Sequence, residues 1–281
     1  MTISRSRSQA RFAILPPVRT EIPPVFRNVA CDNRRHTDLL ARMQRLRGRV
    51  YEADGAIRSG DLTSDGRHKL SVDQRSWHVL SLDENGAVIA CLRYLDASHV
   101  NGLDSLRVNQ APLARCPEEG PRFRCAMELE MKRARAAGIG FGEVGGWAVA
   151  EDHRWTAESL RIVLATYGLL ELLGGCAGVA TATFRHSSAH ILQRIGLSAL
   201  RWHDVEIPPY QDPQYGCLMQ ILQFDSRSPH PRYRDWILDL MDNLQNAPIV
   251  GRETTSAVLG RVWRGIEAPD YVGLSPVSTG G

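Results

Sequence analysis

An α/β fold is predicted by three features of this 281-residue chain. Residues 141–175 read as a strand, a short turn and a long amphipathic helix; residues 77–95 read as a hairpin around Asn85-Gly86; and short β-branched runs alternate with helical stretches across the following segments. The first feature is the most specific. Val144, Trp147 and Val149 mark a strand opened by Gly142, and Asp152, His153 and Arg154 mark its end. Leu160, Val163, Leu164, Tyr167, Leu170 and Leu173 then recur at three- and four-residue steps, with Thr156 suited to the N-cap and Gly174 to the stop. An apolar stripe of this continuity is expected to face a sheet.

The remaining elements follow in order. Residues 1–35 mix Arg, Ser and Pro without periodicity and are expected to form a flexible basic arm. Leu39, Leu40, Met43, Leu46 and Val50 predict a helix over 37–51, with Arg47 and Tyr51 one turn apart on it. Residues 55–71 and 96–120 are polar loops whose length points to function. A helix is expected over 123–137, a buried strand over 177–184, and a short helix from Ser187-Ser188 to Ile195. A final strand pair is expected over 202–207 and 217–224, separated by Pro208, Pro209 and Pro213. Residues 227–281 read as a helical appendage and tail, leaving 36–226 as the main domain.

Composition narrows the function. The formal charge of +3 is too mild to imply nucleic-acid binding. Six cysteines are scattered with no CxxC pair and no Cys/His spacing typical of zinc, so a reduced compartment and no metal are expected. No apolar run approaches the ~20 residues of a membrane helix, and no signal-peptide core follows the basic start. A cytoplasmic location is the expectation.

A helix opening directly after a strand offers free backbone N–H groups and a partial positive charge to an anion, and His153 and Arg154 lie beside that point. Four further motifs join it. LRGRVY (46–51) places Arg47 and Tyr51, VDQRSWHVL (72–80) places Asp73 before a strand, ACLRYL (90–95) places Arg93, and EVGGWAV (143–149) opens with Glu143. In order and spacing these resemble the GCN5-related N-acyltransferase superfamily, in the branch of acyl-homoserine-lactone synthases and long-chain N-acyl amino acid synthases. The resemblance covers about 37–225 and implies a mixed, mostly antiparallel sheet, split near its centre to admit a thioester arm, with helices on both faces. It also implies N-acyl transfer from acyl-CoA or an acyl-carrier protein to a small amine such as an amino acid, with no permanently bound cofactor.

Two departures bear on substrates. Gly146 stands where lactone synthases share an arginine, and His68 and Leu70 replace their additional acids. The resemblance therefore does not bring S-adenosylmethionine with it. HRWTAES (153–159) replaces the glycine-rich turn of acetyl-CoA users, leaving an acyl-carrier-protein donor open.

Acyl transfer to an amine requires removal of a proton from the amine, polarisation of the thioester carbonyl and protonation of the leaving thiolate. Glu143 is the candidate proton acceptor, or else a strand-end carboxylate paired with an arginine. Backbone groups near Trp147, Ala148 and Val149 are candidates to hold the donor arm and polarise its carbonyl, with His153, Arg154 and Thr156 at its phosphate. Tyr167 reads either as thiolate proton donor or as a core tyrosine. Arg47, Tyr51, Asp73 and Arg93 are assigned to the acceptor side or to a salt-bridge network. The same residues would suit a catalytically inactive acyl-thioester-binding module, or a small acetyltransferase acting on a protein or antibiotic.

Overall fold

The structure, a computed structural model, describes residues 10–99 and 102–252. Its strands are β1 (Arg11–Leu15), β2 (Val29–Cys31), β3 (Trp77–Leu82), β4 (Val88–Asp96), β5 (Gly140–Val149), β6 (Cys176–Thr183), β7 (Ser198–Ala199), β8 (Arg201–Trp202), β9 (Val205–Glu206), β10 (Tyr210–Asp212), β11 (Cys217–Asp225) and β12 (Ile249–Gly251). Its α-helices are α1 (Asn33–Ala53), α2 (Gly120–Ala136), α3 (Glu158–Leu172), α4 (Ser188–Ile195) and α5 (Arg234–Asn246). One mixed sheet runs β10-β11-β6-β5-β4-β3-β1-β12-β2, with β7 added to β11. It is antiparallel except where β5 meets β6 and where β12 meets β1 and β2. The expected α/β class, with a mostly antiparallel sheet, is what the chain forms.

Period-two alternation sends side chains to opposite faces of this sheet. Phe12 and Ile14 of β1, Trp77 and Val79 of β3, and Ala90 and Leu92 of β4 share one cluster with α3, α4 and α5. Ala13, Leu15, Leu80, Val88 and Cys91 face the other way, onto Leu39, Met43, Leu46 and Val50 of α1. Farther along that second face, Leu95, Phe141, Val179 and Ile221 pack on Phe123, Ala126 and Met127 of α2. Between the α1 and α2 clusters the row is polar. His78 pairs across with Arg93 and Leu95 with Glu143, so His78, Arg93 and Glu143 stand on three adjacent strands of the same face, all buried.

Several elements differ from the sequence expectation. Residues 11–15 are not part of a flexible arm: β1 lies inside the sheet, antiparallel to β3 and parallel to β12, with Phe12 to Leu15 buried. Four apolar residues among arginines and prolines give too short a signal to outweigh their surroundings. Residues 227–252 are likewise no appendage, since α5 buries Ile237, Leu240 and Leu244 against α3, and β12 completes the sheet. A Cβ on Gly168 would lie 3.0 Å from Met241, which is how closely α5 crosses α3. Sandwiched in this way, α3 is buried on more than the one predicted stripe, with Ile162, Ala165 and Leu169 fully covered. Residues 202–207 do not pair with 217–224. Trp202 pairs locally with Val205, while Tyr210–Asp212, from the proline-rich stretch, joins β11. The start of the arm and the SPVSTGG end lie outside the described residues.

Candidate functional site

The sheet opens at one place. Strand β5 pairs with β6 from Gly140↔Cys176 to Val144↔Ala180, and the ladder stops there although both strands continue. On the other side β5 stays paired with β4 through Val149↔Ala90, with an irregular register between Cys91 and Arg93. Three residue steps on β5, from Gly145 to Ala148, oppose two on β4, from Arg93 to Cys91, so β5 carries a bulge. Gly146 supplies the required backbone, with φ of +67°. A Cβ there would also lie 3.4 Å from the Arg93 Cβ and 3.6 Å from Arg47 Nη1.

The opening leads into a cavity of about 310 Å³, at the lower end of the range for small-molecule sites. Its wall draws on both faces of the sheet. Val149, Ala180, Ala182, Ile191 and Leu192 give an apolar side, and Tyr51, His68, Arg93, Arg107, Glu143 and Tyr215 give a polar one. The predicted residues thus meet in space, though unequally. Trp147, Ala148, Val149, Arg154, Tyr51, Arg93 and Glu143 line the wall, whereas Arg47, Asp73, His153 and Thr156 do not.

Arg47 and Asp73 lie behind the wall as a buried ion pair. The Arg47 guanidinium donates to both Asp73 oxygens at 3.0 and 2.8 Å and to the His68 carbonyl at 2.5 Å. Gln44 and the Leu70 N–H add bonds to Oδ2 at 2.9 and 3.0 Å. Burial works against the Asp73 charge, but the Arg47 charge and these bonds hold its carboxyl well below the ordinary range. The pair ties α1 to the 68–73 loop beside the cavity and stays outside the wall itself.

Glu143 is also paired. Arg93 Nη2 donates to Oε1 at 2.5 Å, and the Val108 N–H donates to Oε2 at 2.8 Å, so both carboxylate oxygens are engaged. Arg93 is 2% exposed, and its Nε and Nη1 have no partner. Tyr167 belongs to the core beside Phe224, away from the cavity wall, with its hydroxyl unpaired. The thiolate-donor reading of Tyr167 therefore fails on position. Tyr51, Tyr210 and Tyr215 are the phenols at the wall, and burial raises all three pKa values, keeping them protonated.

The turn before α3 is more self-satisfied than expected. Thr156 Oγ1 accepts from the Glu158 N–H at 3.1 Å and donates to the His153 carbonyl, so its hydroxyl is engaged within the turn, while the N-cap falls one residue later than expected, on Ala157. Glu158 already places a carboxylate in the first turn, paired with Arg161 at 3.2 Å. Arg154 pairs with Asp54 at 2.8 Å. Across the opening, Arg185 donates to the Asp54 and Gly216 carbonyls at 3.1 and 2.7 Å, leaving its charge without a carboxylate. Trp155 is 96% exposed at the rim. His68, Arg107, Arg185 and Tyr215 were not among the sequence candidates. His68 and Arg107 come from the two long loops, and loop length was the signal available for them.

Burial lowers the His78 pKa to about 4, against an opposing contribution from Asp73. His78 Nε2 lies 2.8 Å from the Asp73 carbonyl, so it carries the proton and leaves Nδ1 bare. Because the folded value lies below the ordinary 6.5, stability is full above pH 6.5 and is lost as pH falls toward 4. His78 alone should account for about 3 kcal/mol of that loss. His68 and His36, also lowered to about 4 by burial first, act in the same direction. Urea unfolding across this range should show the decline, and His78→Gln should flatten it; an unchanged slope would show that His78 titrates normally.

No helix of the described residues is long and apolar enough to cross a membrane. Among them, no group of three or more His, Cys, Asp or Glu is placed to hold a metal.

Comparison with solved structures identifies the fold. BjaI, a CoA-dependent acyl-homoserine lactone synthase described with SAM and isopentyl-CoA, matches with a TM-score of 0.53 at 13% identity, covering 89% of this chain and 99% of BjaI. The same enzyme with MTA matches at 0.52, with the same identity and coverage. MesI, also a CoA-dependent acyl-homoserine lactone synthase, matches at 0.50 and 13% identity, covering 86% of this chain and all of MesI. No protein-family model and no curated protein sequence matches the chain.

Proposed function

We propose that the chain transfers an acyl group from a thioester to the amine of a small acceptor, an amino acid. The observation that carries this reading is the end of the β5–β6 ladder at Val144↔Ala180, which opens the sheet onto a cavity with one apolar and one polar side. Residues 145–149 have no β6 partner there, so those of their backbone groups that face away from β4 are available to an extended, amide-bearing arm and to its thioester carbonyl. The apolar side suits an acyl chain of medium or long length, and the polar side suits the amine. The fold shared with BjaI, a CoA-dependent acyl-homoserine lactone synthase whose structure is described with isopentyl-CoA, agrees with a thioester donor.

Glu143 is the proton acceptor in this reading. With both oxygens already engaged, it takes the amine proton through a water rather than by direct contact. The proton that leaves the amine ends on the thiolate, and the phenol of Tyr51 or Tyr215 at the wall relays it, giving one proton and regaining another so that no tyrosinate remains. The donor is acyl-CoA or an acyl-carrier protein, whose arms share the phosphopantetheine that meets Arg154 and Arg185 at the rim.

Arg154→Glu should weaken donor binding more than acceptor binding, because it puts a second carboxylate beside Asp54 where the phosphate would lie. Calorimetry with a non-hydrolysable acyl-CoA analogue checks this, and unchanged affinity would remove the turn from the donor site. Mass spectrometry of lipid extracts from cells overproducing the chain tests the function itself. New N-acyl amino acids are expected. Extracts identical to those of control cells would count against the reading.

A further inference from the structure

Arg107 differs from the other buried or half-buried arginines around the cavity in having nothing to bind. Arg47 pairs with Asp73, Arg93 with Glu143 and Arg154 with Asp54. Among the described residues, no hydrogen bond or ion pair holds the Arg107 guanidinium, although Arg107 is half-buried in the cavity wall. Its position is fixed by its neighbour, since the Val108 N–H donates to Glu143 Oε2 at 2.8 Å. The single carboxylate of Glu143 thus lies among two arginines, and the Arg107 charge acts against that of Arg93.

Arg93 adds a second independent sign of a missing partner. It is 2% exposed, lines the cavity, and leaves Nε and Nη1 unpaired, which is costly for a buried cation unless something else accepts those bonds. Asp212, the other buried carboxylate in the wall, accepts from the Gln214 and Tyr215 N–H groups at 2.9 and 3.2 Å on Oδ1 and makes no ion pair with either arginine. His68 cannot compensate, being neutral or cationic. Of the two arginine charges on the polar side, Glu143 pairs with that of Arg93 and no carboxylate among the described residues pairs with that of Arg107, which stands together with the free N–H donors of Arg93 inside a cavity of small-molecule size.

We propose that Arg107, together with the free N–H groups of Arg93, binds the carboxylate of the acceptor, so that the chain selects amines that carry a carboxylate. This rests on the N-acyl-transfer reading above and assigns the residues that set its acceptor class. A planar guanidinium matches a carboxylate in two parallel N–H···O bonds, and the unpaired Arg107 charge disfavours amines bearing a second cation in place of the acid. Arg107 is a binding residue here. The amine chemistry stays with Glu143.

The test uses product analogues, so that recognition is read without turnover. N-octanoylglycine and N-octanoylglycinamide differ only in the charged group, and their affinities for the purified chain are measured by calorimetry. The acid should bind at least about tenfold more tightly than the amide. Arg107→Gln should bring the ratio close to one while leaving amide affinity and melting temperature unchanged, and Arg107→Lys should restore part of the preference. Equal binding of acid and amide by the wild-type chain, or a ratio that survives Arg107→Gln, overturns the assignment and leaves the transfer reading standing. Binding of neither compound would instead remove the cavity as a product site, and both readings with it.

Discussion

Replacing Arg47 by Ala should destabilise the fold by about 3–5 kcal/mol, because it strands the Asp73 carboxylate without its partner in the interior. Arg47 is 0% and Asp73 3% exposed, so water cannot take over the lost bonds. The same change frees the His68 carbonyl and loosens the 68–73 loop, so acceptor binding should weaken in whatever protein remains folded. Replacing both partners, as Arg47→Leu with Asp73→Leu, should recover much of the stability, since a buried pair costs more to break than to remove. Urea unfolding of the three variants checks this. A single variant within about 1 kcal/mol of wild type would mean that the pair is hydrated and peripheral.

Glu143→Gln should lower turnover by about 10²–10⁴-fold with donor affinity nearly unchanged, the signature of losing a general base. The pairing of Glu143 adds a second effect. Its carboxylate accepts from Arg93 on one oxygen and from the Val108 N–H on the other, whereas an amide has one acceptor oxygen. One donor must then face the amide NH2, at a cost of about 1–3 kcal/mol. A base predicts lost kcat at every acceptor concentration; a purely structural carboxylate predicts lost stability and a raised acceptor KM with kcat retained. Wild-type turnover would leave the proton-acceptor role with no support.

The site was more legible in the sequence than the boundaries of the fold. Arg93 and Glu143 came into view through ACLRYL and EVGGWAV, the motifs that carry the resemblance to the N-acyltransferase superfamily, and both side chains lie in the cavity wall. Their pairing with each other was left open, because β4 and β5 are joined through α2 and two loops and their register cannot be counted from sequence. The hairpin over 77–95 was legible because Asn-Gly fixes a local turn. Strands β1 and β12 were not, because they pair in parallel across more than two hundred residues and neither is long enough to show a period. Thr156 was expected both as the cap and at the donor phosphate; the N-cap is Ala157, and the Thr156 hydroxyl is spent within the turn. Arg107 was invisible because nothing local distinguishes an unpaired arginine from a solvated one.

The central claim is amine-dependent transfer from a thioester that enters between β5 and β6. It is tested most directly by thiol release from purified protein, supplied with medium- and long-chain acyl-CoA or acyl-carrier protein, with and without a mixture of amino acids. The account predicts release that requires the amino acids and matches N-acyl product one for one. Tight binding of the thioester with no amine-dependent release would contradict it, and would make the chain an acyl-thioester-binding module.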